Sequence, residues 1–145
     1  MAVLYVGFKG NGNSSNKIVS NLVGEKLFLT NSYPGLWKDI DNIGNTYDLV
    51  YMFGLDKTLK GSIRIECAAK RDDICLCSDI DFHMLAEKLN DRGIITTIGN
   101  TPTRSLCNEA YWYMLKKYND HVVFLHVPSI KYIMEFFIEK VQTAL

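Results

Sequence analysis

The sequence lacks any apolar run approaching the roughly 20 residues of a membrane-spanning helix, so no membrane partner is expected. Its opening residues, MAVLYVGFKGNG, lack the basic segment, apolar stretch and cleavage site of a secretory leader. Net charge is absent as well: Lys+Arg and Asp+Glu both total 16, with no basic stripe, which argues against a nucleic-acid partner. Internal repeats, low-complexity segments and linkers are missing too, so one domain over 1–145 is expected. Cysteine is sparse, at Cys67, Cys75, Cys77 and Cys107, and no C-x-x-C or H-x-x-x-H spacing accompanies it. Neither a metal nor another cofactor is therefore expected. An even cysteine count permits disulfides, but a chain that can bury roughly 68–70% of its unfolded surface needs no staple. Free thiols in a reducing cytoplasm are the better expectation.

Short apolar runs alternate with helical patterns. Val3–Gly7, Lys26–Thr30, Leu49–Gly54, Ile63–Ala69, Ile94–Ile98 and Val122–Val127 read as strands, with Ile74–Cys77 as a further short one. Between them, Ser14 or Ser15 can cap a helix carrying Ile18, Val19 and Leu22. Asp79 can cap a second helix, whose Phe82, Leu85, Ala86 and Leu89 share a face and which Gly93 ends. A third starts between Thr101 and Ser105 and runs to about Tyr118. The last carries Ile130, Ile133, Met134, Phe137, Ile138 and Val141. NSYPGLWKDIDNIGN is weakly patterned and reads as a turn with a short helix. The alternation predicts an α/β fold, a three-layer α/β/α arrangement around a mostly parallel central sheet. In such sheets functional groups gather at the carboxyl ends of the strands.

Three residues then stand out. Cys107 sits at the start of a helix, where unpaired N–H groups favour a thiolate and can receive an oxyanion. His126 sits at the carboxyl end of an apolar strand, just before Pro128. Glu66 shares a strand face with Arg64, opposite Ile63 and Ile65, and inside a covered sheet its carboxylate needs a partner. Each also has a bland reading: Cys107 as a small core hydrophobe, His126 as a ring satisfied by backbone, Glu66 facing water on an edge strand. Together they make up a thiol nucleophile, its base and an orienting carboxylate. His83 and His121 read as solvated, and Cys75 and Cys77 as free thiols on one strand face.

The chain resembles the pyrrolidone-carboxylate peptidases, also called pyroglutamyl peptidases, as a shortened and divergent member. The family pattern N-T-x-G-T-x-x-C-N is similar to Asn100-Thr101-Pro102-Thr103-Arg104-Ser105-Leu106-Cys107-Asn108, with one position fewer between the two blocks. F-x-H-V-P is matched by Phe124-Leu125-His126-Val127-Pro128, and E-R-V-A-I-N is similar to Glu66-Cys67-Ala68-Ala69-Lys70. The family's V-x-G-F and N-P-S resemble Val6-Gly7-Phe8 and Asn13-Ser14-Ser15. The resemblance implies a cysteine peptidase or amidohydrolase that releases an N-terminal pyroglutamyl or related group through a thiol acyl-enzyme. It implies Cys107 as nucleophile, His126 as general base and acid, Glu66 as orienter and Phe8 as a substrate-binding wall. The implied partner is a small peptide or pyroglutamyl-type amide.

The departures from the family pattern lie in the loops. Phe8 alone remains of the family's G-F-x-P-F-G aromatic wall, which here reads Gly7-Phe8-Lys9-Gly10-Asn11-Gly12. The family's G-Q-A-G-G-R is replaced by Gly54-Leu55-Asp56-Lys57-Thr58-Leu59, and the segment after the glutamate strand is cut down. The family's arginine near the oxyanion site has two candidate replacements, Arg71 and Arg104. These changes leave a second reading open, an inactive member that binds a ligand or partner in the old cleft. The aromatic run Tyr111-Trp112-Tyr113 cannot all face one core, which is compatible with a homo-oligomer.

Overall fold

The apolar runs become strands of one sheet in a computed structural model that describes residues 1–103, 105–134 and 136–145. Its strands are β1 (Val3–Phe8), β2 (Glu25–Leu29), β3 (Leu49–Leu55), β4 (Ile63–Glu66), β7 (Thr96–Gly99) and β8 (Val122–Val127), in the spatial order β2-β1-β3-β8-β4-β7. β2, β1, β3 and β8 pair in parallel, as do β4 and β7, while β4 runs antiparallel to β8. A separate antiparallel hairpin, β5 (Ala68–Arg71) and β6 (Ile74–Cys77), follows β4.

Among the described residues five helices cover both faces, which makes the fold a three-layer α/β/α sandwich. On one face α1 (Ser14–Asn21), α3 (Phe82–Asp91) and α5 (Phe137–Ala144) bury Ile18, Val19, Leu89 and Val141 against Val123, Leu125 and Val127. On the other, α2 (Tyr33–Asp41) and α4 (Leu106–Lys117) bury Leu36, Ile40, Ala110, Met114 and Leu115 against Val122 and Phe124. Strand β8 is therefore buried along its whole length, as a strand covered on both faces must be. Side-chain alternation places His126 on the same face as Phe124, beneath α4.

Several local expectations need correction. Asn13, not Ser14 or Ser15, caps α1, because its Oδ1 accepts from the Ser15 N–H; Asp81, not Asp79, does the same for α3 through the Met84 N–H. The segment after Thr30 does hold the expected short helix, α2, with Ser32 as cap and Pro34 in its first turn, where the missing proline N–H costs nothing. The run Ile63–Ala69 is two strands: after Cys67 the chain leaves the sheet to pair with β6. The final amphipathic stretch breaks into a 3₁₀ turn (Ile130–Tyr132) and α5, with Phe136 at φ 74° between them, outside the helical region. Tyr111 and Trp112 are both buried, while Tyr113 stacks at an angle on Trp37 with ring centroids 6.1 Å apart.

No described helix is long and apolar enough to cross a membrane. Leu125 is fully buried at the centre of the sheet. Leu125→Ala should cost about 2–5 kcal/mol in urea unfolding, as large-to-small changes in a packed core do. Val23→Ala, at an 82% exposed position, should stay within about 0.5 kcal/mol.

Candidate active site

The three candidate residues converge where β3, β4 and β8 meet the start of α4. Ser105 caps α4, its Oγ accepting from the Cys107 N–H at 3.2 Å, which sets Cys107 in the first turn. The Cys107 sulfur lies over Gly54 of β3: a Cβ built there would meet Phe124 ring carbons at 2.6 and 2.8 Å and the sulfur at 2.9 Å. No larger residue fits at Gly54 without displacing them. Glycine is thus required here for close approach rather than for backbone conformation.

His126 and Glu66 are joined by sheet register. Antiparallel pairing sets Arg64 opposite His126 and Glu66 opposite Phe124, so the Glu66 side chain reaches the imidazole diagonally. His126 Nδ1 lies 3.0 Å from Glu66 Oε1, and both residues are buried. An ionised carboxylate only accepts, so Nδ1 carries the hydrogen and the Nε2 lone pair is left free. Space for the carboxylate comes from Gly99 of β7, where a Cβ would sit 2.6 Å from Glu66 Oε2. Tyr111, one turn along α4 from Cys107, donates its hydroxyl to the Glu66 carbonyl at 2.8 Å. Asn108 bonds reciprocally with the backbone of Lys70, at 3.0 and 2.8 Å. Helix α4 is thereby tied to the segment that follows the glutamate.

Arg64 is the site residue that pattern reading missed. Its Nε donates to Glu66 Oε1 at 2.5 Å, and its Nη2 donates to Asp56 Oδ2 at 2.7 Å and lies 3.4 Å from His126 Nδ1. Two nitrogens that both carry hydrogen do not bond, so that last approach is a contact between donors. The available signal was the i, i+2 spacing of Arg64 and Glu66 on one strand face. Arg71 lies away from this cluster, bonding the Tyr113 hydroxyl at 2.5 Å, and Arg104 lies outside the described residues. Phe8 is buried in the core cluster on the α4 side; it does not line the cleft that holds Cys107 and His126. His83 is exposed, and His121 is half exposed with its Nδ1 against the Asp79 carboxylate. The four cysteines are free thiols, and no group of three or more His, Cys, Asp or Glu among the described residues could hold a metal.

The electrostatics follow from these contacts. Burial pushes Glu66 up, but hydrogen bonds and charge from His126 and Arg64 outweigh it and hold the carboxyl below its usual range. Asp56 behaves similarly: burial is overcome by hydrogen bonds from Thr58 and Arg64, holding it at about 2. Burial raises the Cys107 thiol to about 11; the Ser105 hydroxyl lowers it, while the anions Asp56 and Glu66 raise it. The resting thiol is therefore protonated. Cys107 and His126 line one cleft with Glu66, Thr103, Asn108 and Phe124, but share no hydrogen bond in this form, and the cleft has no room for a water molecule. A polar cavity of about 390 Å³ adjoins it, sharing Thr103 and Asn108 and adding Lys70 and Asp72.

Two outcomes follow from the charges. Alkylation of Cys107 by iodoacetamide should be slow at neutral pH and climb toward pH 11, and Ser105→Ala should move that climb to still higher pH; mass spectrometry of the labelled peptide reads both. Asp56, depressed from 3.8 to about 2, contributes stability that is present above about pH 4 and lost as pH falls through about 2. Asp56→Asn should flatten the acid limb of the unfolding curve there.

No protein-family model matches the chain, and no curated protein matches it in sequence. Solved structures do match it in shape. Pyrrolidone carboxyl peptidase from Thermus thermophilus superposes with a TM-score of 0.81 at 16% identity, covering 98% of this chain and 96% of that one. The enzyme from Fervidobacterium islandicum AW-1 gives 0.79 at 22% identity, covering 97% and 88%. The enzyme from Thermococcus litoralis gives 0.76 at 19% identity, covering 99% and 89%. The chain has the fold of the pyrrolidone carboxyl peptidases, at low sequence identity to each of them.

Proposed function

We propose that the chain is a cysteine-type amidohydrolase that releases an N-terminal pyroglutamyl or closely related group from a small peptide or amide. One observation carries the reading: Glu66 holds His126 through Nδ1 at 3.0 Å, on a scaffold that puts Cys107 at a helix start in the same cleft. The fold shared with pyrrolidone carboxyl peptidases supports the choice of substrate class.

The resting thiol is neutral, so the reaction begins with a proton transfer. His126 Nε2 takes the Cys107 proton as the sulfur attacks the carbonyl carbon, and the carbonyl π pair moves onto oxygen. First-turn N–H groups of α4, which lack intrahelical partners, serve as donors to that oxyanion; the Cys107 N–H is already engaged by Ser105 Oγ, which leaves its neighbours. Collapse re-forms the carbonyl and breaks the C–N bond, and the imidazolium gives its proton to the departing amine. Water, deprotonated by His126, then attacks the thioester and releases the acid and the free thiol. Glu66 stabilises the imidazolium in both halves without taking its proton. The cleft must widen beside Thr103 to admit substrate, with the adjoining polar cavity placed to take the leaving chain.

A fluorogenic pyroglutamyl amide tests the reading. Wild type should turn over, and Cys107→Ser and His126→Ala should each lose at least about 10³-fold in kcat/KM. Turnover by wild type no greater than by Cys107→Ser would remove this activity.

A further inference from the structure

Glu66 does not meet His126 alone. Its Oε1 accepts from two donors, Arg64 Nε at 2.5 Å and His126 Nδ1 at 3.0 Å. Arg64 is in turn gripped from the other side by Asp56, 2.7 Å from Nη2, and Asp56 is set by Thr58, whose N–H and hydroxyl donate to Oδ1 at 2.9 and 2.6 Å. The result is a line of contacts from a turn after β3, through β4, to the imidazole on β8. Arg64 lies in the register position opposite His126, which puts its side chain on the same sheet face as the imidazole.

We infer that Arg64 is a positioning residue: clamped by Asp56, it holds the Glu66 carboxylate ionised and aimed so that one oxygen keeps the His126 ring in its Nδ1–H form. The inference rests on the catalytic reading for what that orientation serves. Physically, the carboxylate is buried, and burial alone would favour its neutral form. A protonated Glu66 could donate its hydrogen to Nδ1 and turn the lone pair away from Nε2, leaving the wrong tautomer for a base. One imidazole contact is a poor safeguard, because a neutral ring carries no charge. A guanidinium is permanently charged, and its planar fork lets it bridge two carboxylates at fixed geometry. The groups facing Glu66 are few: Arg64 and Cys67 from its own stretch of chain, His126 from β8, Asp56 from the turn after β3, and Cys107 and Tyr111 from α4. Gly99 from β7 adds space and no charge. Arg64 is the one permanent cation among them.

The test follows the carboxyl carbon of Glu66 by NMR in the full chain labelled at glutamate Cδ, assigned with Glu66→Gln. In wild type that carbon should titrate below the exposed glutamates. Arg64→Gln should move it up by about one pH unit or more, the size expected when a cation in contact is removed. Arg64→Lys, which keeps the charge without the fork, should restore most of the wild-type position. With the fluorogenic amide, Arg64→Gln should lower kcat about tenfold or more with KM within about twofold, because the loss falls on the chemistry rather than on binding. An unmoved Glu66 titration in Arg64→Gln, or a lysine variant that behaves like glutamine, overturns the inference. Should Arg64→Gln not fold, wild type and Arg64→Lys still decide: a wild-type Glu66 titrating with the exposed glutamates overturns it. A moved titration in a protein that cleaves no pyroglutamyl amide keeps the clamp and sinks the catalytic reading alone.

Discussion

A carboxylate buried in a sheet is the constraint on which the rest of this site depends. Glu66 sits between β8 and β7, in a layer where an isolated charge would cost several kcal/mol. Its neighbours answer that cost from three directions. Arg64 and His126 share one oxygen, Gly99 leaves space beside the other, and Tyr111 fixes the Glu66 carbonyl from the helix above. The antiparallel pairing of β4 with β8 brings these groups together, because it sets Arg64 opposite His126 and Glu66 one step off.

The same geometry links stability to chemistry. Helix α4 carries Cys107 in its first turn and bonds the glutamate segment through Tyr111 and Asn108, so the candidate nucleophile and the Glu66 segment are tied to the same helix. Gly54 lets the sulfur settle against the sheet, and that burial, together with Asp56 and Glu66 nearby, keeps the thiol protonated at rest. A thiol of this kind is inert until a base accepts its proton. Under the proposed mechanism the first step is therefore a general-base one, in contrast to sites that store a thiolate in the resting state.

Much of the site was legible beforehand, and the limits are instructive. Cys107 at a helix start and His126 at a strand end follow from local signals: a helix beginning between Thr101 and Ser105, an apolar run, a proline just beyond it. Glu66 on the Arg64 face follows from strand alternation. What alternation could not say was which face was covered, so an edge strand facing water remained open. The caps at Asn13 and Asp81 lay within two residues of the expected ones, since several polar side chains in a row can all accept the same N–H. The run Ile63–Ala69 reads as one strand because its apolar content continues smoothly across Cys67, where the pairing partner changes.

By itself the sequence determined the layers: alternating apolar runs and amphipathic helices require a covered sheet, and the candidate nucleophile and base fall at the ends of elements. The company these residues keep comes from the folded arrangement. Strand order and direction are set by long-range packing, which no local pattern encodes. They brought Arg64 and Asp56 to Glu66, left Phe8 in the core away from the cleft, and put the hairpin arginine Arg71 against Tyr113. A charge on a strand is visible in the sequence; its partner comes from a neighbouring strand, and register alone selects it.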